Sequence, residues 1–269
     1  MLRAADLSEM QRRNILIRLI LVNTIYFKGK WARPFTASAT SEANFHCDVG
    51  GDQLVSLMNR TMNADYADIP DSPTPLQILS LDYAAQEDFG DASNTGNSHK
   101  VGFSLVVVLP RAYGDLPAIE KNLNADQLAN WFSRLTPNRV NAFLPKFKIT
   151  QSYDLNTGLQ ALGVTNAFVD PTTHPGDPSA ADFSGMDGLH QLFIAKAVHQ
   201  TYVSVDEKGT EAAAATVAMM GSLGLAAKPL PPVLFLADHP FLFLIRENST
   251  GSILFVGRLA SPPQSPTTL

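Results

Sequence analysis

The sequence predicts an α+β fold of mixed β-sheets with helices, and three observations lead there. Near-continuous apolar runs at residues 19–27 (LILVNTIYF) and 103–110 (FSLVVVLP) have the length and content of strands buried on both faces. Residues 116–135 show helical spacing instead, with Leu123, Leu128 and Trp131 among the apolar positions. Near the C-terminus, residues 241–246 and 253–256 flank residues 247–251 in the layout of a hairpin.

In chain order, residues 1–14 are mixed and polar and point to no chemistry. The run at 19–27 stops at Gly29, and core packing is the first expectation for Trp31 beyond it. From 45 to 84 the pattern is of short β-segments split by turns, including 53–58 and 76–83. Residues 87–100, rich in Asn, Ser, Gly and Asp, have the composition of a loop. In the helical stretch Asn124 is placed to cap a helix beginning at Ala125. A strand is expected at 141–150, a short helix at 154–162, a β-rich run at 197–205 and a strand at 233–236.

With 269 residues, 45% of them hydrophobic, the chain is long enough to form one large domain over 1–269. A formal charge of −5 without a basic cluster argues against nucleic acid as a partner. No apolar run is long enough to span a membrane. The lone Cys47 excludes an internal disulfide and a multi-cysteine zinc site, so neither metal nor cofactor is expected. The chain carries no Gly-x-Ser-x-Gly elbow and no His-Glu-x-x-His, and the Gly29-Lys30 pair is followed by Trp31 rather than a hydroxyl residue. An enzyme is therefore the weakest reading. Two sequons, at Asn59 and Asn248, are short enough to arise by chance.

The stretch that organises the chain is EKGTEAAAATVAMMGSLG at residues 207–224. Alanine propensity alone leaves a surface helix open. A period of two sets Thr210, Ala212, Ala214, Thr216 and Ala218 on one strand face, all small and uncharged, and Glu211 on the other. Such a segment is suited to entering between existing strands.

Residues 207–216 resemble the reactive-centre-loop hinge of inhibitory serpins. Residues 21–35 resemble that family's third main-sheet strand and the tryptophan after it, residues 192–200 the strand feeding the loop, and residues 241–258 the closing hairpin. Residues 237–247 look most like its plant members. The resemblance implies a serine-type endopeptidase inhibitor that acts as a suicide substrate. Once cleaved, its loop inserts as a strand and traps the acyl-enzyme. A non-inhibitory serpin-fold binding or carrier module, or an inactive fragment, is the alternative.

By the same resemblance the hinge comprises Glu207, Gly209, Thr210, Glu211, Ala212, Ala213, Ala214, Ala215 and Thr216. Family spacing places the attacked bond between Leu223 and Gly224, which suits a serine protease of chymotrypsin-like or elastase-like specificity. The long segment that follows leaves Met219, Met220, Leu225 and Lys228 as alternatives. Asn23 and His199 match polar shutter residues, although a lone mid-strand histidine is usually a satisfied core group. Trp31, Lys146 and Glu207 match the upper end of the sheet, where the two charges could pair or simply be solvated. The family ordinarily carries a helical region and two further strands before the segment resembling residues 19–27. The chain is thus expected to be a truncated serpin-like domain, the C-terminal two-thirds, with the N-terminal helical region missing and an apolar edge exposed at 19–27. The family suggests an extracellular protein, while the first residues lack a signal-peptide layout and leave a cytoplasmic location open.

Overall fold

The computed structural model describes residues 19–27, 29–84, 102–171, 173, 177–188, 190–209 and 230–262. The first strands in chain order are β1 (Leu19–Tyr26), β2 (Ser41–His46), β3 (Asp52–Ile69), β4 (Leu76–Asp82) and β5 (Phe103–Pro110). Helices α1 (Leu116–Asn122) and α2 (Ala125–Ser133) precede β6 (Thr136–Pro145) and β7 (Phe147–Asp154). Short helices α3 (Asn156–Ala161) and α4 (Ser184–Asp187) then lead to β8 (Ile194–Val205), β9 (Val233–Leu236), β10 (Phe241–Glu247) and β11 (Ile253–Leu259). Contacts group them into two compact units: Ile149–Val203 with the first strand, and Phe27–Lys148 with the chain from Ser204 onward.

The first unit holds a three-stranded sheet in the order β1-β8-β7. β1 runs parallel to β8, with Asn23 opposite His199 and Tyr26 opposite Tyr202, whose rings stack at 5.2 Å. The Asn156 side chain ties the start of α3 to β8, donating to the Ala195 carbonyl and accepting from the Ala197 amide. The apolar run at 19–27 is thus a strand, but it is not buried on both faces. Among the described residues β1 has β8 as its one neighbour, and Leu21 and Val22 are 51% and 50% exposed. An edge strand lacks the second neighbour that would cover such side chains.

The second unit is built on an eight-stranded sheet ordered β11-β10-β5-β4-β3-β6-β9, with β2 also on β3. Here the short segments expected between 45 and 84 give way to one 18-residue strand, β3. Its first half pairs with β2 and its second with β4, while β6 runs along its other edge from Leu57 to Tyr66. The β6 ladder holds Asn59, Asn63 and Asp65 extended although their own β-propensity is low, and Asp65 pairs with β4 as well.

The helical stretch at 116–135 breaks into two helices. Leu123 is extended, and the Asn124 Oδ1 accepts the Gln127 amide at 2.9 Å, so the cap that starts α2 also ends α1. Leu116, Ile119 and Trp131 then pack over Ile78, Val106 and Leu244 to form the core on that face. The single strand expected at 141–150 is likewise two. Pro145, which has no amide to extend a ladder, closes β6 in the large sheet, and Phe147 opens β7 in the small one.

The C-terminal hairpin forms where the sequence places it, β10 pairing with β11 and with β5. Its turn is ordered by Glu247, whose carboxylate accepts the Ser249 amide at 2.8 Å, the Thr250 amide at 2.6 Å and the Thr250 hydroxyl. Hydrogen bonds from Thr250 and then Ser249 hold this carboxyl down at a pKa of about 2. Because the folded value lies below the unfolded one, the turn's contribution is complete above the ordinary carboxylate range and is lost as pH falls toward 2. Thr250→Val removes one donor and keeps the backbone two. Carboxyl ¹³C titration should show the Glu247 pKa rising part of the way to its ordinary value; an unmoved titration would mean the hydroxyl contributes nothing.

Candidate functional site

β8 runs out at Val205 into a turn, residues 206–209, held against the segment that follows β1. The turn closes on itself, with the Lys208 amide donating to Asp206 Oδ1 at 2.8 Å and the Gly209 amide to the Asp206 carbonyl at 3.2 Å. Residues 29–35 then grip it by backbone. The Trp31 amide donates to the Lys208 carbonyl at 3.2 Å and the Phe35 amide to the Glu207 carbonyl at 2.8 Å. Lys30 forms an antiparallel bridge with Gly209.

Gly209 is required by both conformation and space. Its φ is +96°, and a Cβ there would lie 2.4 Å from the Gly29 carbonyl oxygen and 2.6 Å from the Trp31 nitrogen. Gly29 is squeezed from the other side, since a Cβ on it would come within 2.6 Å of the Tyr83 ring. Gly209 thus lets the turn approach the backbone of residues 29–31, and Gly29 makes room for the Tyr83 ring.

Trp31 is 3% exposed and bridges the turn to the large sheet. Its ring stacks on Tyr83 at 4.5 Å with 9° between the planes, and Phe35 meets it edge-on at 6.2 Å. Its indole Nε1 donates to the Asp206 carbonyl at 2.7 Å. Core packing was the first expectation for this tryptophan, and the structure adds a hydrogen bond to the turn.

Glu207 faces Lys146, the residue between β6 and β7, with Nζ 2.9 Å from Oε2 and 3.2 Å from Oε1. The Thr40 hydroxyl donates to Oε1 at 2.9 Å. Burial pushes the Glu207 carboxyl up, but the hydrogen bonds from Lys146, the backbone and Thr40, with the Lys146 charge, outweigh it and hold the pKa below the usual value. The carboxylate's contribution is therefore complete above about pH 4.5 and is lost as pH falls through the lowered pKa. With Lys146 40% exposed, the pair is worth roughly 1 kcal/mol or less. Lys146→Glu would set two carboxylates together against the 206–209 turn. Carboxyl ¹³C titration should then show the Glu207 pKa rising from its lowered position, and an unmoved titration would mean that Lys146 contributes nothing.

The structure thus brings Trp31, Lys146, Glu207 and Gly209 together. In the three-stranded sheet Asn23 and His199 stand opposite each other in register, with the Tyr153 ring stacked 6.4 Å from His199. Thr210, Glu211, Ala212, Ala213, Ala214, Ala215, Thr216, Leu223 and Gly224 lie outside the described residues. Sequence reading missed Thr40, Tyr83 and Asp206. Nothing local marks Thr40 or Tyr83, because each meets the turn only through tertiary contact. Asp206 could have been found as a turn former three residues before a glycine.

A model of the serpin (serine protease inhibitor) family matches residues 8–262. The chain is 38% identical over 253 residues to the human leukocyte elastase inhibitor, covering 92% of this chain and 59% of that protein. It is 32% identical over 248 residues to a serine protease inhibitor of Cyanea capillata, covering 91% of this chain and 57% of that protein. Among solved structures it is similar to uncleaved ovalbumin, with a TM-score of 0.68 and 26% identity over 90% of this chain and 54% of that one. Native protease nexin-1 with heparin gives the same TM-score at 27% identity, covering 92% and 58%. The chain spans less than two thirds of the length of these relatives. They are animal proteins, and a plant-like member gains no support from them. With a family match across nearly its whole length and a β-rich fold shared with solved members, the chain belongs to the serpin family.

Proposed function

We propose that this chain is a serine protease inhibitor acting as a suicide substrate through loop insertion. The observation that carries the reading is the grip on residues 206–209. It fixes the last residues before the small-residue tract to the large sheet by backbone hydrogen bonds, an ion pair and the Trp31 indole. The tract, Thr210–Thr216 with the bond Leu223–Gly224 beyond it, is the proposed bait. A protease serine attacks the Leu223 carbonyl, an acyl bond forms, and the Gly224 amine leaves. Cleavage frees the tract to turn at residues 206–209 and run antiparallel to β8. Insertion next to β8 separates β1 from it, and so parts Asn23 from His199. Those two are proposed as the shutter, Trp31 and Lys146 as the breach, and residues 1–269 as one functional domain.

The family match and the elastase-inhibitor relatives support an elastase-like or chymotrypsin-like target. That the chain corresponds to the C-terminal two-thirds of a family member, and that it works outside the cell, rest on the sequence resemblance. Incubation with pancreatic elastase, chymotrypsin and subtilisin, followed by denaturing electrophoresis, tests the reading. The expected result is a stable covalent adduct together with a released peptide beginning at Gly224. Ala214→Arg, which puts a charge on the face that must be buried, should cut the trapped fraction at least about tenfold while cleavage continues. Cleavage without any adduct would sink the inhibitory reading in favour of a binding or carrier module.

A further inference from the structure

Trp31 also lines a recess of about 220 Å³. Its apolar wall is Trp31, Phe35 and Met62, and its polar wall is Arg33, Ser80 and Asp82. Ser80 is 9% exposed. In the β3–β4 register Asp65 stands opposite Ser80, which brings a second carboxylate to the same face. Arg33 spends its guanidinium on the Asn63 carbonyl oxygen. Two acids against one arginine leave the polar wall with excess negative charge. Burial raises the Asp82 pKa and the charge of Asp65 adds to this, while Arg33 and the Asn248 amide only partly offset them.

We propose that this recess is a binding site for a small aromatic ammonium ion. The ring lies against Trp31, Phe35 and Met62, and the ammonium donates to the Asp82 carboxylate and to the Ser80 hydroxyl, which accepts. A carboxylate-bearing ligand is repelled by the acid pair, and a neutral one leaves Asp82 desolvated and uncompensated. Drug-sized ligands need pockets of about 300 Å³ or more, so the occupant is a fragment-sized molecule. Trp31 both lines the recess and donates its indole N–H to Asp206, so an occupant sits one side chain from the turn that anchors the loop.

Titration of the protein with 2-phenylethylammonium chloride, followed by ¹H–¹⁵N NMR of the indole N–H signals, tests the proposal. The Trp31 signal should shift and saturate with a Kd on the order of 1 mM, as for a fragment-sized ligand. Trp131, buried under α2, should not respond. Asp82→Asn should weaken binding about tenfold or more through loss of a charge-assisted hydrogen bond. Ser80→Ala, a milder change, should weaken it several-fold and serves if the first variant fails to fold. No Trp31 shift at about ten times the expected Kd, an equal response to 3-phenylpropanoate, or unchanged binding in both variants would overturn the proposal.

Discussion

Trp31→Ala is expected to lower the unfolding free energy of the second unit by about 3–5 kcal/mol, the cost of truncating a large buried aromatic side chain. The ring is 3% exposed, stacked on Tyr83 and capped by the edge of Phe35, so its removal leaves a cavity that flat neighbours cannot collapse to fill. The Asp206 carbonyl loses its indole donor as well. Urea denaturation followed by tyrosine fluorescence and far-ultraviolet circular dichroism measures the loss. A change below about 1 kcal/mol would mean that the packing contributes little. Trp31→Phe keeps much of the ring and deletes only the N–H. It should cost less in stability while still speeding hydrogen exchange of the Gly209 amide, which closes the turn on the same Asp206 carbonyl.

Gly209→Ala is expected to cost about 3 kcal/mol or more, combining a left-handed backbone penalty of about 1–2 kcal/mol with a backbone clash. The clash is the larger effect because the atoms met by a Cβ, the Gly29 oxygen and the Trp31 nitrogen, belong to main chain and cannot rotate away. Gly114 separates the two contributions. Its φ is +82°, but a Cβ there meets nothing within 4 Å, so Gly114→Ala should carry the conformational penalty alone. Thermal unfolding of both variants at matched pH gives the difference. Equal losses would show that the close approach at Gly209 is not limiting. If the Gly209 variant also releases residues 206–209 from Trp31, it should be nicked by proteases faster than wild type, without forming more covalent adduct.

Much of the strand content could be read from apolar runs, because a sheet selects β-branched and aromatic residues wherever it buries them. The hairpin at β10 and β11, the Asn124 cap and the strand at β5 rest on such local signals, and each stands where the residues put it. Burial did not follow so simply. Residues 19–27 read as doubly buried from their own pattern, and the exposed apolar edge that β1 shows was expected only from the resemblance, since whether a second neighbour exists is not written in the strand itself. The same limit explains β3. Its Asn59, Asn63 and Asp65 look like turn residues in isolation, and only pairing with β6 makes them strand. At the candidate site, Glu207, Gly209, Trp31 and Lys146 were legible by resemblance. Thr40, Tyr83 and the recess formed by Arg33, Ser80 and Asp82 were not.

By itself the sequence determined the kind of most elements and their order, because propensity and periodicity act over neighbouring residues. Only the tertiary structure decided that Asp206–Gly209 is gripped by residues 29–35, that Lys146 and Thr40 share the Glu207 carboxylate, and that Asn23 stands opposite His199. Those contacts join residues 61 or more positions apart along the chain. Contacts at that separation follow from which faces are buried together and from where a glycine permits two backbones to touch.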